Sequence, residues 1–249
     1  MRFLILSDIH GNIDALDAVL ARAPQESYDR LLVLGDLVGY CANPNEVVER
    51  IFELEPDAVI RGNHDKVCSG VESADNFNRI AGEAARWTIK APTPANKERV
   101  AKLPSGPTNV DKDVEICHGT PFDEDTYIFD EDDATKAFDA MHRQICFFGH
   151  THVPVAYVRK GSNLTVVHPQ PGGPETTVVN VLKRSRYLIN PGSIGQPRDT
   201  DQRASYATYD SKKSRIEVRR VPYRIDLAQQ RIVEAGLPES LAFRLGLGR

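Results

Sequence analysis

Hydrophobic residues enter this chain in short unbroken runs, and each early run stops at a cluster of polar residues. Phe3-Leu4-Ile5-Leu6 is the first, Leu31-Leu32-Val33-Leu34 the second and Ala58-Val59-Ile60 the third. Runs without alternation mark strands covered on both faces, as in parallel sheets between helices. Between them the spacing becomes helical, with Ile13, Leu16, Val19 and Leu20 in 13–22 and Val47, Val48, Ile51 and Phe52 in 45–54. Residues 1–65 therefore predict β-α-β-α-β. Their polar clusters fall at the strand ends, where α/β sheets place ligand sites.

The stretch 66–112 is less regular, with helices expected over 77–90, including Trp87, and 96–103, joined by the turn Ala91-Pro92-Thr93-Pro94. It reads as a helical lid or shoulder beside the site. Apolar strands are expected at 113–117 and 145–148. The acidic stretch 123–133 between them reads as an exposed loop capping a helix at 134–141, since acids suit a helix N-terminus. From 155 the texture is β, with strands at 155–158, 164–167, 176–182, 186–189, 203–209 and 215–220 and a Pro/Gly hairpin loop at 170–174. The tail predicts a helix at 226–235 and a Leu-rich segment, 236–249, that packs on the body or on a second copy. With no repeat and no break in composition, one domain is expected over 1–249.

Composition narrows the function classes. The 249 residues carry 31 Lys+Arg against 35 Asp+Glu, a net charge of −4, so nothing global attracts nucleic acid or an anionic membrane. A phosphate-bearing ligand would be held locally. Cys41, Cys68, Cys117 and Cys146 form no C-x-x-C and follow no leader-like stretch, which predicts free thiols and a cytoplasmic location. No apolar run approaches the ~20 residues of a membrane span, so a soluble chain is expected.

Five of the seven histidines sit in clusters directly after apolar runs: His10, His64, His118, His150 and His152. His142 and His168 do not, and read as ordinary surface or packing residues. In Asp8-Ile9-His10 and His150-Thr151-His152 the polar residues are two apart. An extended backbone would point both to one side and turn Ile9 and Thr151 away. Oxygens of Asp8, Asp36 and Asn63 with four imidazoles make a mixed N/O set. That set suits Mn, Fe, Co, Ni or Zn better than Mg or Ca. Seven donors exceed one tetrahedral ion and suffice for two divalent ions if Asp36 bridges them.

Taken together, Asp8-x-His10, Gly35-Asp36, Gly62-Asn63-His64-Asp65, His118-Gly119 and Gly149-His150-Thr151-His152 resemble, in this order, the calcineurin-like metallophosphoesterase superfamily. The segment Asn190-Pro191-Gly192-Ser193-Ile194-Gly195-Gln196-Pro197-Arg198 is similar to one in its small prokaryotic phosphodiesterase branch. The resemblance implies a four-layer αββα sandwich with two mixed sheets. It implies that Asp8, His10, Asp36 and His152 hold one metal, and Asp36, Asn63, His118 and His150 the other. His64 matches the catalytic histidine, and attack on a small phosphate ester by a metal-bridging hydroxide is implied.

One motif departs from related phosphatases. Where they carry G-D-x-V-D-R-G, this chain has Gly35-Asp36-Leu37-Val38-Gly39-Tyr40-Cys41, so Gly39 replaces an acid that orients the histidine and Tyr40 replaces a phosphate-clamping Arg. Arg61 and Arg198 are the substitute candidates for a phosphate contact, and Asp65 is a candidate for orienting His64. Phosphodiesterase or nucleotide hydrolysis is the leading expectation. A phosphomonoesterase or protein phosphatase, a nuclease and a catalytically silent metal-binding scaffold stay open. So does a homo-oligomer, with the C-terminus and the Trp87 region as candidate interfaces.

Overall fold

The structure, a computed structural model, describes residues 1–23 and 27–249. The chain opens with three parallel strands, β1 (Arg2–Leu6), β2 (Arg30–Val33) and β3 (Ala58–Val59). It then crosses to a second sheet with β4 (Thr108–Asn109), β5 (Val114–Ile116), β6 (Ile145–Phe147), β7 (Val155–Lys160) and β8 (Asn163–Val167). β9 (Thr176–Asn180) returns to the first sheet and β10 (Arg186–Asn190) joins the second. β11 (Ala204–Asp210) and β12 (Arg215–Val221) complete the first. The orders are β3-β2-β1-β11-β12-β9 and β4-β5-β6-β10-β7-β8, so both sheets are mixed.

The continuous apolar runs are explained by burial on both sides. Phe3, Ile5, Leu32 and Leu34 face the second sheet, meeting Val114, Ile116, Ile145 and Phe147. The alternate residues Leu4, Leu6, Leu31 and Val33 face α1 (Ile13–Arg22) and α2 (Pro44–Glu53) through Leu16, Val19, Val48 and Ile51. The outer face of the second sheet presents Cys146, Phe148 and Leu188 to Ala134, Ala137 and Phe138. Four layers result, helix–sheet–sheet–helix, as the resemblance implies.

Departures from the sequence pattern cluster in the middle of the chain. A short helix, α3 (Asn63–Ser69), begins inside the third polar cluster, and a single 3-10 turn at Ala74–Asn76 precedes α4 (Arg79–Thr88) and α5 (Pro94–Ala101). Neither α3 nor the two-residue β4 is long enough to show a period. α6 (Glu131–Ala140) starts inside the acidic stretch, with the Asp130 carboxylate accepting from Asp133 N at 2.9 Å. The tail forms α7 (Ile225–Glu234) and α8 (Glu239–Leu247). Leu241 and Leu245 pack with Tyr40, Ala81 and Ala84, so the Leu-rich segment lies against the body beside α4. Among the described residues no helix is long and apolar enough to cross a membrane. The four cysteines are free and buried.

Candidate metal centre

Each predicted metal-ligand residue, and His64 with them, lies just beyond the end of a strand in the parallel part of a sheet. Asp8 and His10 follow β1, Asp36 follows β2, Asn63 and His64 follow β3, His118 follows β5, and His150 and His152 follow β6. The loops are laced by backbone bonds, His10 N to Asp36 O at 2.9 Å and Gly11 N to Leu37 O at 2.8 Å. Asp8, His10, Asp36, His150 and His152 all have left-handed backbone, with φ of 51°, 52°, 53°, 68° and 62°. This corrects the expectation of an extended Asp-x-His and His-x-His. The chain turns at each of these residues, which sends Ile9 into the helix-side core and Thr151 against the Asn190 amide at 3.0 Å. Such conformations cost of order 1–3 kcal/mol each and gather at functional sites.

The donor atoms form two adjoining sets, Asp8/His10/Asp36/His152 and Asp36/His118/His150, each within 4.8 Å. His10 Nε2 and His152 Nε2 are 3.0 Å apart. Asp36 Oδ2 lies 3.5 Å from both His10 Nε2 and His118 Nε2, and Asp8 Oδ1 lies 3.4 Å from His152 Nε2. Asn63 Oδ1 joins the second set, 3.4 Å from His118 Nε2.

The tautomers are set by the backbone. Nδ1 of His10, His118 and His152 donates to the carbonyls of Val38, Leu34 and Gln196 at 3.0, 2.8 and 2.7 Å. A neutral ring that donates at Nδ1 carries a lone pair at Nε2. The His10 and His152 lone pairs therefore face each other at 3.0 Å. His150 is arranged the other way, with Nε2 donating to Asp125 O at 3.0 Å, which leaves Nδ1 as its lone-pair atom.

These contacts test whether the residues fit a metal. Asp36 Oδ1 accepts from His64 N at 2.9 Å, but the buried Oδ2 has no hydrogen-bond partner. A buried carboxylate oxygen left unpaired is costly, as are two facing lone pairs. Donors about 2.1 Å from a shared ion lie roughly 3–3.5 Å apart, the spacing of this cage. The set fits a divalent ion with N/O preference.

Electrostatics agree. Burial holds His10 and His152 well below the ordinary imidazole pKa, and lowers His150 to about 3, so all three are neutral. Burial raises Asp8 to about 6. Burial would also raise Asp36, but the surrounding imidazoles, His118 foremost, hold it well below the ordinary value. His118 is opposite: burial would lower it, yet the Asp36 carboxylate raises it to about 10. Without a metal, a proton on His118 supplies the cation that Asp36 requires.

His64 sits at the cleft with its ring 4.4 Å from Tyr40, 4.7 Å from Phe77 and 4.9 Å from His10. Burial lowers its pKa to about 4. Gly39 leaves no place for an orienting acid: it has φ +100°, and a Cβ there would come within 2.5 Å of His64 Nδ1. Asp65 does not orient His64 either. Its carboxylate accepts from Leu37 N at 3.0 Å, Val38 N at 3.3 Å and Gly62 N at 3.0 Å, fastening the 36–38 loop to α3.

A cleft of about 410 Å³ opens over the centre, lined by Asp36, Asn63, His64, His150 and His152 together with Tyr40, Glu72, Phe77, Asp125, Tyr127 and Arg198. Arg198 lies over the Tyr40 ring at 5.5 Å. Arg61 is not in the lining; its guanidinium pairs with Glu124 at 2.8 and 3.1 Å. Residues 123–126 of the acidic stretch form the loop expected of them, largely exposed, and Asp125 O in addition accepts from His150 Nε2 at 3.0 Å. Tyr127, stacked on His150 at 3.8 Å, carries no sequence signal that marks it. Ser7 donates to Asp8 Oδ2 at 2.6 Å.

Comparison with known proteins points the same way. A family model described as the calcineurin-like phosphoesterase superfamily domain matches residues 1–214. The chain is 37% identical to the protein MJ0912 of Methanocaldococcus jannaschii over 254 residues, 98% of this chain and 97% of that one. It is similar to the crystal structure of a metallophosphoesterase from Sphaerobacter thermophilus, with a TM-score of 0.86, 40% identity and coverage of 100% and 99%. It also shares the fold of PH1004 from Pyrococcus horikoshii OT3, with a TM-score of 0.78, 19% identity and coverage of 100% and 98%.

Proposed function

Because this chain belongs to the calcineurin-like phosphoesterase superfamily and is a metal-dependent phosphoric ester hydrolase, we propose that it cleaves small phosphodiesters with two divalent transition-metal ions. The observation that carries the two-ion reading is Asp36, whose unpartnered Oδ2 lies 3.5 Å from an imidazole of each donor set. Asp8, His10, Asp36 and His152 would hold one ion. Asp36, Asn63, His118 and His150 would hold the other. The N/O set suits Mn, Fe, Zn, Ni or Co, with availability deciding among them. Two such ions lower the pKa of water and offset charge on phosphoryl oxygens.

The chain's own residues supply the rest. His64 is neutral at pH 7, given its pKa of about 4, so an N–H is what it offers a phosphoryl or leaving oxygen. Arg198 supplies a cation beside Tyr40 at the rim. Charge in the lining favours a diester over a monoester. Glu72 and Asp125 are paired with Lys66, so outside the metal-ligand candidates the cleft lining offers one cation, Arg198. A diester brings one negative charge to that rim, and a monoester at neutral pH nearly two.

Hydrolysis tests this reading. Chelated protein is re-supplied with Mn, Ni, Co or Zn and offered bis-p-nitrophenyl phosphate and p-nitrophenyl phosphate. Metal-restored turnover with the diester ahead is expected, and Asp36→Asn should abolish it. A preference for the monoester would overturn the diester assignment. Absence of turnover with every metal, in folded protein, would overturn the phosphodiesterase reading itself.

A further inference from the structure

Lys66 is 4% exposed, although a buried ammonium is costly unless paired. It lies on α3, three residues beyond Asn63, and reaches three carboxylates: Asp125 at 2.5 Å, Glu72 at 2.9 Å and Glu124 at 3.5 Å. Arg61 grips Glu124 from the other side. The left-handed C-cap at Gly70 turns the chain back, with Val71 N and Glu72 N donating to Lys66 O at 3.0 and 3.3 Å, and so delivers Glu72 to the same ammonium.

Glu124 and Asp125 belong to the segment that follows His118, and that segment lies unusually close to it. A Cβ on Gly119 would come within 2.5 Å of Thr126 O and 2.7 Å of Glu124 O, so only glycine admits the approach. Asp123 winds the segment on itself, its carboxylate accepting from Asp125 N at 2.8 Å and Thr126 N at 3.0 Å. The segment then meets His150 twice. Asp125 O accepts from Nε2 at 3.0 Å, and the Tyr127 ring stacks on the imidazole at 3.8 Å and 17°.

We propose that Lys66 is a positioning residue for His150: by clasping Asp125 and Glu124 it holds the 119–127 segment against the imidazole, fixing the Nε2–H tautomer and leaving Nδ1 for the second ion. His10, His118 and His152 take their tautomers from carbonyls at the ends of the sheets and their loops. His150 takes its own from a segment tied down by charge. A ligand's second ring nitrogen commonly sets its orientation through such a bond, and loss of that partner typically weakens metal binding 10–100-fold.

The inference rests on the two-ion reading for what Nδ1 binds, and its first readout needs neither metal nor turnover. In metal-free protein, ¹⁵N NMR should show His150 protonated at Nε2, with Lys66→Gln giving a tautomer mixture and Lys66→Arg restoring the wild-type signal. In calorimetric titration with Mn(II), Lys66→Gln should weaken the second equivalent at least tenfold, and the first by no more than twofold. Should Lys66→Gln fail to fold, Asp125→Asn, at a side chain 48% exposed, is expected to act in the same direction by about threefold. An unaltered tautomer with both equivalents at wild-type affinity in either folded variant would overturn the proposal. So would equal weakening of both equivalents with a lower metal-free Tm, since that is a general structural effect. Failed hydrolysis in a protein that keeps the Nε2 tautomer and its Lys66 dependence would count against the enzymatic reading and leave this one standing.

Discussion

Individual side chains in the centre are defined by what their second polar atom does. Asp36 accepts at Oδ1 from His64 N and keeps Oδ2 without a hydrogen-bond partner, while His10 and His152 give Nδ1 to carbonyls and keep Nε2 bare. His118 also gives Nδ1 to a carbonyl but holds a proton at Nε2 in the metal-free protein. A pH dependence follows. Metal takes the deprotonated forms, so groups whose metal-free pKa is raised must release protons on binding. Burial raises Asp8 to about 6, and Asp36 raises His118 to about 10 against the effect of burial. His10, His150 and His152 are already neutral and release none. Affinity at the His118 set should therefore climb about tenfold per pH unit between pH 6 and 8, while the Asp8 set levels off above about 6. Titration of Mn(II) at stepped pH checks this, and two pH-independent sites would refute it. His64 yields a second prediction. Gly39→Ala places a methyl at φ +100°, 2.5 Å from His64 Nδ1, and should cost about 1–3 kcal/mol in denaturant unfolding while lowering kcat more than KM. The candidate donor residues were legible because each is an Asp, Asn or His directly after an apolar run. Tyr127 and Lys66 were not, because each acts through a contact distant in sequence.

Elements were readable in proportion to their length and periodicity. The runs at β1, β2 and β6 and the helical spacing of α1 and α2 survive in the structure with ends displaced by a residue or two. α3 escaped because seven residues, five of them buried, show no amphipathic stripe. Yet α3 brings Asn63, His64, Asp65 and Lys66 into the centre on a single turn, each in a separate task. Asp65 joins this helix to the loop carrying Asp36. Asn in its place has one acceptor oxygen for three backbone donors, and an amide group facing at least one of them. Asp65→Asn should cost about 1.5–3 kcal/mol in unfolding free energy and weaken both metal equivalents, since Asp36 is shared. Unchanged stability would show that water replaces those bonds. The left-handed turns at Asp8, Asp36, His150 and His152 were hidden from sequence spacing, which cannot separate an extended Asp-x-His from a doubly turned one.

At the scale of the whole molecule, two sheets present the ends of their parallel strands to one cleft, and the space between them is filled by side chains such as Phe3, Ile5, Phe147 and Tyr187. The unbroken apolar runs marked strands covered on both faces, whereas the αββα layering was anticipated from the family resemblance. Phe147→Ala should remove about 3–5 kcal/mol from unfolding, read in denaturant, while the protein that remains folded in the cold binds metal as wild type does. Metal affinity falling in step with stability would mean that the core and the centre are not separable. In the proposed centre Asp36 joins two cation sites built from the ends of both sheets. Anomalous diffraction from crystals soaked in Mn(II) tests it most directly. Two peaks are expected, one against Asp8, His10 and His152 and one against Asn63, His118 and His150, with Asp36 touching both; no peak, or one confined to other acidic residues, would refute the shared-carboxylate centre.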